Sequence, residues 1–544
     1  MPAPNSSKTD SASSLPSPPG AKTPSSSNAV HPFFTPRRIL NGIGSNARSA
    51  CAHLLSPEES PSQRCSKRVR LSRDESPSPT QNLERGAESK LEAEMEEEEP
   101  KAAPREMPPS LQYHLFMKSM DGFYNPALGR TSFYPGNWAT QPLNFYSRPV
   151  DELPISSNED QCLPFSTAAC NRSSLVAIGD EMGRVRLVET AKDEKPGFIK
   201  EFLSFQCHEN AIFDMSWSPD DLQLATASGD QLCRVFDVTK QTQLYQLKQH
   251  QNSVKQIAYN PHNPFMLASS ARDGTLNIWD LRVAGTKISE GRDVVTVLQP
   301  VECIRGVHTT AGRKPKVNSV TAAVWMNEHR VATTCEHDAQ IKVWDLRSRV
   351  FRKKNPQAVE SSALPPNQYR DYGISSLTIS PDGQRMYAVC KDSNVYAYAP
   401  RHLSKGPIHA YSHPRLHAET FYVKCDISRD GKFLATGSSD QVGVVFPTEE
   451  RYFNPRVSAN FRYKDGEHAL ASTLKVGKGV ALVRGHDREV TDVAWTMNHD
   501  LVTVSDGCQA RCWRQDGNGF EAEDMRDGGE TNGRRWGWGW AQRN

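Results

Sequence analysis

The sequence predicts an all-β fold, a seven-bladed propeller behind a long N-terminal tail disordered over residues 1–105, and three observations carry this. First, one pattern recurs between about residues 163 and 514: an apolar strand, a Pro/Asp/Gly turn, a strand rich in Ala and Ser, a turn containing Asp, and a strand ending in an aromatic. Second, its internal spacing is fixed. Asp230, Asp273, Asp338, Asp392 and Asp440 each precede by six residues an aromatic, namely Phe236, Trp279, Trp344, Tyr398 and Phe446, and Asp506 precedes Trp513 by seven. Third, 15 of the first 30 residues are Ser or Pro, so that stretch buries too little apolar area to offset its chain entropy.

Each element follows from residue type. In "FDMSWSPDDLQLATASGDQLCRVFDV" (213–238), β-branched and aromatic residues alternate between turn formers, which marks strands and not helices. The same reading holds for "VKQIAYNPHNPFMLASSARDGTLNIWDL" (254–281), "SSLTISPDGQRMYAVCKDSNVYAYA" (375–399) and "VKCDISRDGKFLATGSSDQVGVVFP" (423–447). A weaker first unit, "LVAIGDEMGRVRLVET" (175–190), puts Met182 and Val188 at the equivalent places. A repeat of roughly 40–45 residues carrying Trp-Asp is the signature of a WD-repeat blade. The longer interval from Asp273 to Asp338 implies loop insertions. A lead-in spans 106–162, and a disordered C-terminal tail is expected over 515–544.

The turn aspartates read as structural. Each can accept hydrogen bonds from a histidine ahead of its blade, with the aromatic packed beneath; His208, His250 and His486 stand where that histidine belongs. Successive blades separate these histidines, so no metal site is expected, and nothing calls for a cofactor. No phosphate loop, nucleophile elbow or metalloprotease helix is present, and no converging acid–base set marks a propeller hydrolase. Sixty-five basic residues face 63 acidic ones, which gives no general pull toward nucleic acid or anionic lipid. No apolar run reaches membrane-spanning length. The 12 cysteines are scattered without a Cys-x-x-Cys pair and read as reduced, mostly buried thiols.

One feature exceeds what a blade needs. "IWDLR" (278–282) recurs as "VWDLR" (343–347) in the next blade. Trp279-Asp280 and Trp344-Asp345 close third strands, but the fold does not require Arg282 or Arg347. Other blades carry Thr239 and Glu449 at that position. On consecutive blades the pair would lie exposed on one side of one face, where a planar guanidinium makes several directed hydrogen bonds.

Trp-Asp-x-Arg on adjacent blades resembles the docking motif of propeller receptors of the cullin-4 RING ubiquitin ligase. "HENAIFDMSWSPDDLQLATASGDQLCRVFDV", "ARDGTLNIWDLR", "HAETFYVKCDISRDGKFLATGSSD" and "LVRGHDREVTDVAW" resemble, more narrowly, the denticleless family. The resemblance covers about 163–514. It implies a non-catalytic receptor in the nucleus. Its Trp279, Asp280, Arg282, Trp344, Asp345 and Arg347 would meet the adaptor, damaged-DNA-binding protein 1, and through it cullin-4. Its targets would be licensing and S-phase proteins presented on the DNA-loaded sliding clamp, PCNA. The competing class is a WD-repeat scaffold or chromatin reader without a ligase role.

Further candidates lie outside the repeats. Val30, Phe33 and Phe34 in "SNAVHPFF" form a degenerate clamp-binding box, with Ser27 where the ideal box has Gln; the plain alternative is an aromatic pair in a tail. Thr35 opens "TPRR", a cyclin-dependent-kinase site, among several Ser-Pro steps, and "KRVR" (67–70) is a weak nuclear signal. Residues 110–121 predict a short helix capped by Ser110 and ended before Gly122, with Leu111, Leu115 and Phe116 on an apolar flank. It would cover the propeller's own edge or enter the adaptor.

Overall fold

The computed structural model describes residues 141–157, 160–191, 198, 201–290, 293–310, 316–348, 356–365, 371–450, 453, 474–516, 520–528 and 538–542. These form seven blades in chain order, each built on antiparallel strands with its first strand innermost, and blades 6 and 7 share one ten-stranded sheet. The inner strands are Pro164–Ala169, Ile212–Trp217, Val254–Asn260, Val320–Trp325, Ile374–Ile379, Cys425–Ile427 and Val490–Trp495. Each packs on the next, and the last packs on the first, so the all-β WD propeller closes on itself. The second strand of blade 2, Gln223–Ser228, shows why Ala and Ser recur: from Leu224 to Ser228 every residue is buried, because neighbouring blades cover both faces of the sheet. The core therefore lies between blades. Ala225 and Val235 of blade 2 cluster with Ile257, Leu267 and Trp279 of blade 3.

A second bonding system joins the blades around the hub. At every junction an inner-strand side chain reaches the backbone of the next inner strand. Ser166 Oγ donates to the Ile212 carbonyl at 3.1 Å and Thr321 Oγ1 to the Ile374 carbonyl at 2.6 Å. The other five accept backbone N–H groups. Asp214 takes Ile257, Gln256 takes Ala323, Ser376 takes Cys425, Asp426 takes Trp495, and Asp492 takes Thr167, at 2.6–3.2 Å. Lys424 ties blade 6 to Asp214 of blade 2 at 2.8 Å and Asp492 of blade 7 at 3.0 Å. Burial alone would lower its pKa, but the two carboxylates more than offset this and raise it.

Blade 7 is completed from both ends of the chain. Phe145–Ser147 and then Glu152–Pro154 pair with its third strand, Gln509–Gln515. Gly539–Ala541 fits between Phe145–Ser147 and the outer strand of blade 6, Val480–Val483. Ion pairs lock this closure: buried Arg514 meets Asp151 at 3.0 Å and Asp500 at 2.7 Å, and Arg511 meets Glu152. The sequence boundaries of 163 and 514 thus miss two stretches of the sheet system. The region read as a disordered C-terminal tail also contains a helix, Phe520–Gly528, whose Ala522 and Met525 pack with Tyr146. These strands are three residues long and carry no repeat period, so the pattern gives no sign of them. The long interval before Asp338 holds ordered structure as well as loop. Thr286–Glu290 and Asp293–Leu298 form a hairpin whose second arm pairs in parallel with the outer strand of blade 2, Thr242–Lys248. The helix proposed at 110–121, the box at Val30, Phe33 and Phe34, and Thr35 lie outside the described residues.

Asp151 is 2% exposed, so Asp151→Ala would leave the Arg514 guanidinium buried with one partner fewer. The expected loss is about 3 kcal/mol, read as a lower urea midpoint with early proteolysis near residues 145–154.

Candidate docking site

The position of the arginine pair follows from strand order. An inner strand runs from one face of the propeller to the other, the second returns, and the third runs out again. The turn after the third strand therefore lies on the same face in every blade as the turn after the first. Arg282 and Arg347 occupy that turn in blades 3 and 4, and their side chains are 57% and 63% exposed. Neither dangles. Arg282 Nε and Nη2 grip the two oxygens of Asp280 at 2.9 and 2.7 Å, and its backbone N–H bonds Asp280 Oδ1 at 3.0 Å. Arg347 repeats this on Asp345 at 3.1, 2.8 and 3.0 Å. The hydrogen bonds from each arginine lower the pKa of its aspartate, most strongly at Asp345. A guanidinium used along one edge keeps its remaining N–H groups directed outward. The Trp-Asp dipeptide thus aims the arginine, a role that spacing alone does not reveal.

The tryptophans in the motif are not at the surface. Trp279 is 0% and Trp344 1% exposed, so neither can touch a partner, and the reading that grouped them with the contact residues is corrected to that extent. Each instead joins an internal chain toward the opposite face. Trp279 Nε1 donates to Ser269 Oγ at 2.8 Å, His250 Nε2 meets the same hydroxyl at 2.7 Å, and His250 Nδ1 faces Asp273 at 3.3 Å. Blade 4 repeats this through Trp344, Thr333, His308 and Asp338. Blade 2 keeps Asp230, His208 and Thr226, and blade 7 joins Trp513 and His486 at Thr503. Burial pushes the His486 imidazole down to about 3, with nearby Arg511 adding to the effect, so it is neutral.

Sequence spacing missed His308. It stands 30 residues before its aspartate, against 22 and 23 in blades 2 and 3, because an insertion intervenes. The remaining blades use other partners. Asp392 accepts from the Tyr396 hydroxyl at 2.6 Å, and Asp440 from Arg415 Nε at 2.6 Å. In blade 1 Met182 occupies the aspartate's register position, and the carboxylate comes from Asp180, two residues earlier, bonded to buried Arg186. Among the described residues, His308, Cys335 and Asp338 bring metal-type donor atoms within 4.8 Å of one another. Their atoms are engaged within the blade, His308 with Thr333 and Asp338 and the Cys335 sulfur with the Asp338 N–H. Burial, with Asp338 adding, also pushes the Cys335 thiol up to about 12.

A ring of seven blades, six of them with an aspartate-bearing turn and a buried aromatic closing the third strand, defines a WD-repeat propeller. In keeping with this, residues 199–237, 241–280 and 477–514 match the family model "WD domain, G-beta repeat". The chain is 32% identical over 391 residues to the Cell division cycle protein cdt2 of Schizosaccharomyces pombe, covering 70% of this chain and 73% of that protein. It is 30% identical to Denticleless protein homolog B of Xenopus laevis and 29% to the Denticleless protein homolog of Homo sapiens. Those matches cover 64% of this chain and only 47% and 46% of the relatives. The chain belongs to the Cdt2/Denticleless family of WD-repeat proteins.

Asp273 provides a pH test of the internal chain. Burial alone would raise its carboxyl, but His250, Thr275 and the Gln251 N–H bring it down to about 2. Its unfolded value is near 4, so its stabilisation is complete above that pH and is lost as pH falls through 2. Asp273→Asn should therefore cost about 2 kcal/mol at pH 7 in urea unfolding, and the gap from the parent should shrink below pH 4.

Proposed function

We propose that the chain is the substrate-recognition subunit of a cullin-4 RING ubiquitin ligase, without catalytic chemistry of its own. The observation that carries this is the pair of guanidiniums on neighbouring blades, each gripped by the aspartate of its own Trp-Asp and directed outward on one face. Such a pair suits a partner with carbonyl or carboxylate acceptors at matching spacing. The resemblance of the motif makes that partner the adaptor, damaged-DNA-binding protein 1, with cullin-4 beyond it. The fission-yeast relative is named as a cell division cycle protein, and on this reading the present chain acts in the cell cycle, in the nucleus. Its targets are replication-licensing and S-phase regulators held on the sliding clamp, PCNA. The receptor contributes proximity: it raises the local concentration of substrate lysines near a ubiquitin thioester carried by another subunit. The proposal includes a clamp contact through Val30, Phe33 and Phe34, switched by Thr35 phosphorylation, and a second adaptor contact through Leu111, Leu115 and Phe116.

The alternative, a scaffold or chromatin reader with no ligase, accounts for the ring but leaves the arginine pair without a role. Pull-down of the full chain from S-phase cells separates the two. The parent chain should bring down the adaptor and ubiquitylated proteins. Arg282→Ala with Arg347→Ala should reduce adaptor recovery by about a hundredfold while thermal unfolding stays unchanged. Full recovery by the double variant would remove the ligase reading.

The tail carries a separate expectation. A peptide of residues 25–40 should bind PCNA in the micromolar range by titration calorimetry, and Phe33→Ala with Phe34→Ala should abolish that binding because the aromatics supply most of the apolar burial.

A further inference from the structure

The face that carries the arginine pair is not uniform. In each of five blades the backbone N–H just past the third strand bonds the carbonyl of a residue at the entry of the second strand. Those residues are Ser174, Leu222, Phe265, His329 and Lys432. Two of them are apolar, on adjacent blades, and both are exposed: Leu222 at 41% and Phe265 at 48%. Phe265 is also engaged with the motif, since the Arg282 guanidinium carbon lies 5.3 Å from its ring centre. Val283 and Val301, in the same turn region of blade 3, are 46% and 49% exposed. Single exposed hydrophobic residues are ordinary, but a group around an aromatic stacked on a directed arginine is the composition of an interface centre.

Blade 4 differs in kind. Its residue equivalent to Phe265 is His329, and the next, Arg330, lays its Nε 3.3 Å from Asp345 Oδ2 with its side chain 38% exposed. Two guanidiniums, Arg330 and Arg347, therefore share one carboxylate, with the exposed Glu328 carboxylate in the same turn beside His329.

We infer that the face over blades 2–4 is a bipartite protein-docking surface, with Phe265 its apolar anchor at the blade 3 end and Arg330 a third cation at the blade 4 end. The partner presents an apolar pocket on one side and acidic side chains on the other. This rests on the docking reading above and commits to the same adaptor as occupant, because the apolar group and the arginine pair are continuous. Leu222 extends the apolar end toward blade 2. The strand-borne Phe265 has its backbone carbonyl fixed by the Leu281 N–H, at 2.9 Å, and its ring lies against the Arg282 guanidinium.

The test is real-time binding of the full chain to the purified adaptor at two salt concentrations, with unfolding curves as a fold control. Phe265→Ala should weaken binding about tenfold or more, through faster dissociation and at either salt concentration. Phe265→Leu should restore most of the loss. Arg330→Ala should slow association a few-fold at low salt and flatten its salt dependence. Met182→Ser, on the opposite face, should change nothing. If Arg282→Ala with Arg347→Ala loses binding while Phe265→Ala and Arg330→Ala bind like the parent, docking stands and the bipartite surface is wrong. If the arginine-pair variant and Phe265→Ala both bind normally, the docking reading has failed and this inference falls with it.

Discussion

Ring closure is the constraint on which everything else depends. A blade exposes two apolar faces and is stable only between neighbours, so the seven blades succeed or fail together. The hub shows how closely they are held, because each junction carries a side-chain-to-backbone bond between inner strands. The rim shows where closure is hardest. Blade 7 has no fourth strand of its own in sequence order, and residues 145–154 supply one, held by Arg511 and Arg514. Gly539–Ala541 then ties blade 6 to the same seam. The arginine pair on blades 3 and 4 inherits its geometry from this ring, since the relative position of neighbouring turns is set by blade packing.

Electrostatics is divided between two layers. Within the blades, the turn carboxylates meet histidines, hydroxyls or arginines of their own blade. On one face Asp280 and Asp345 act differently, because each binds the exposed arginine two residues on. Surface ion pairs add little stability, so the value of these pairs lies in orientation. A guanidinium held by one edge binds with less loss of side-chain freedom than one free to rotate. The same dipeptide thus serves two ends: tryptophan anchors the turn in the core, and aspartate directs the residue that leaves it.

Much of this was legible in the sequence. The Asp-to-aromatic spacing marks blades because both residues have fixed posts in a rigid repeat, and His208, His250 and His486 were found by the same logic. Legibility ended where a repeat borrows or improvises. His308 was hidden by an insertion, the blade 1 carboxylate moved to Asp180, and Tyr396 and Arg415 replaced histidine in blades 5 and 6. Phe145–Ser147 and Gly539–Ala541 were invisible because three-residue strands have no periodicity. Arg282 and Arg347 stood out for the opposite reason, being more than the fold requires. Phe265 and Arg330 could not be seen, because their proximity to those arginines arises from strand pairing across the blade.

The central claim is that one face of the propeller, over blades 3 and 4, docks onto the adaptor. Hydrogen–deuterium exchange of the full chain with and without saturating adaptor tests it most directly. The account predicts new protection in the turns at 281–285 and 346–348 and at the strand entries 263–266 and 328–331, with the turns at 229–231 and 272–274 on the opposite face unchanged. Protection confined to the opposite face, or none near 282 and 347 in a complex shown to have formed, would contradict it.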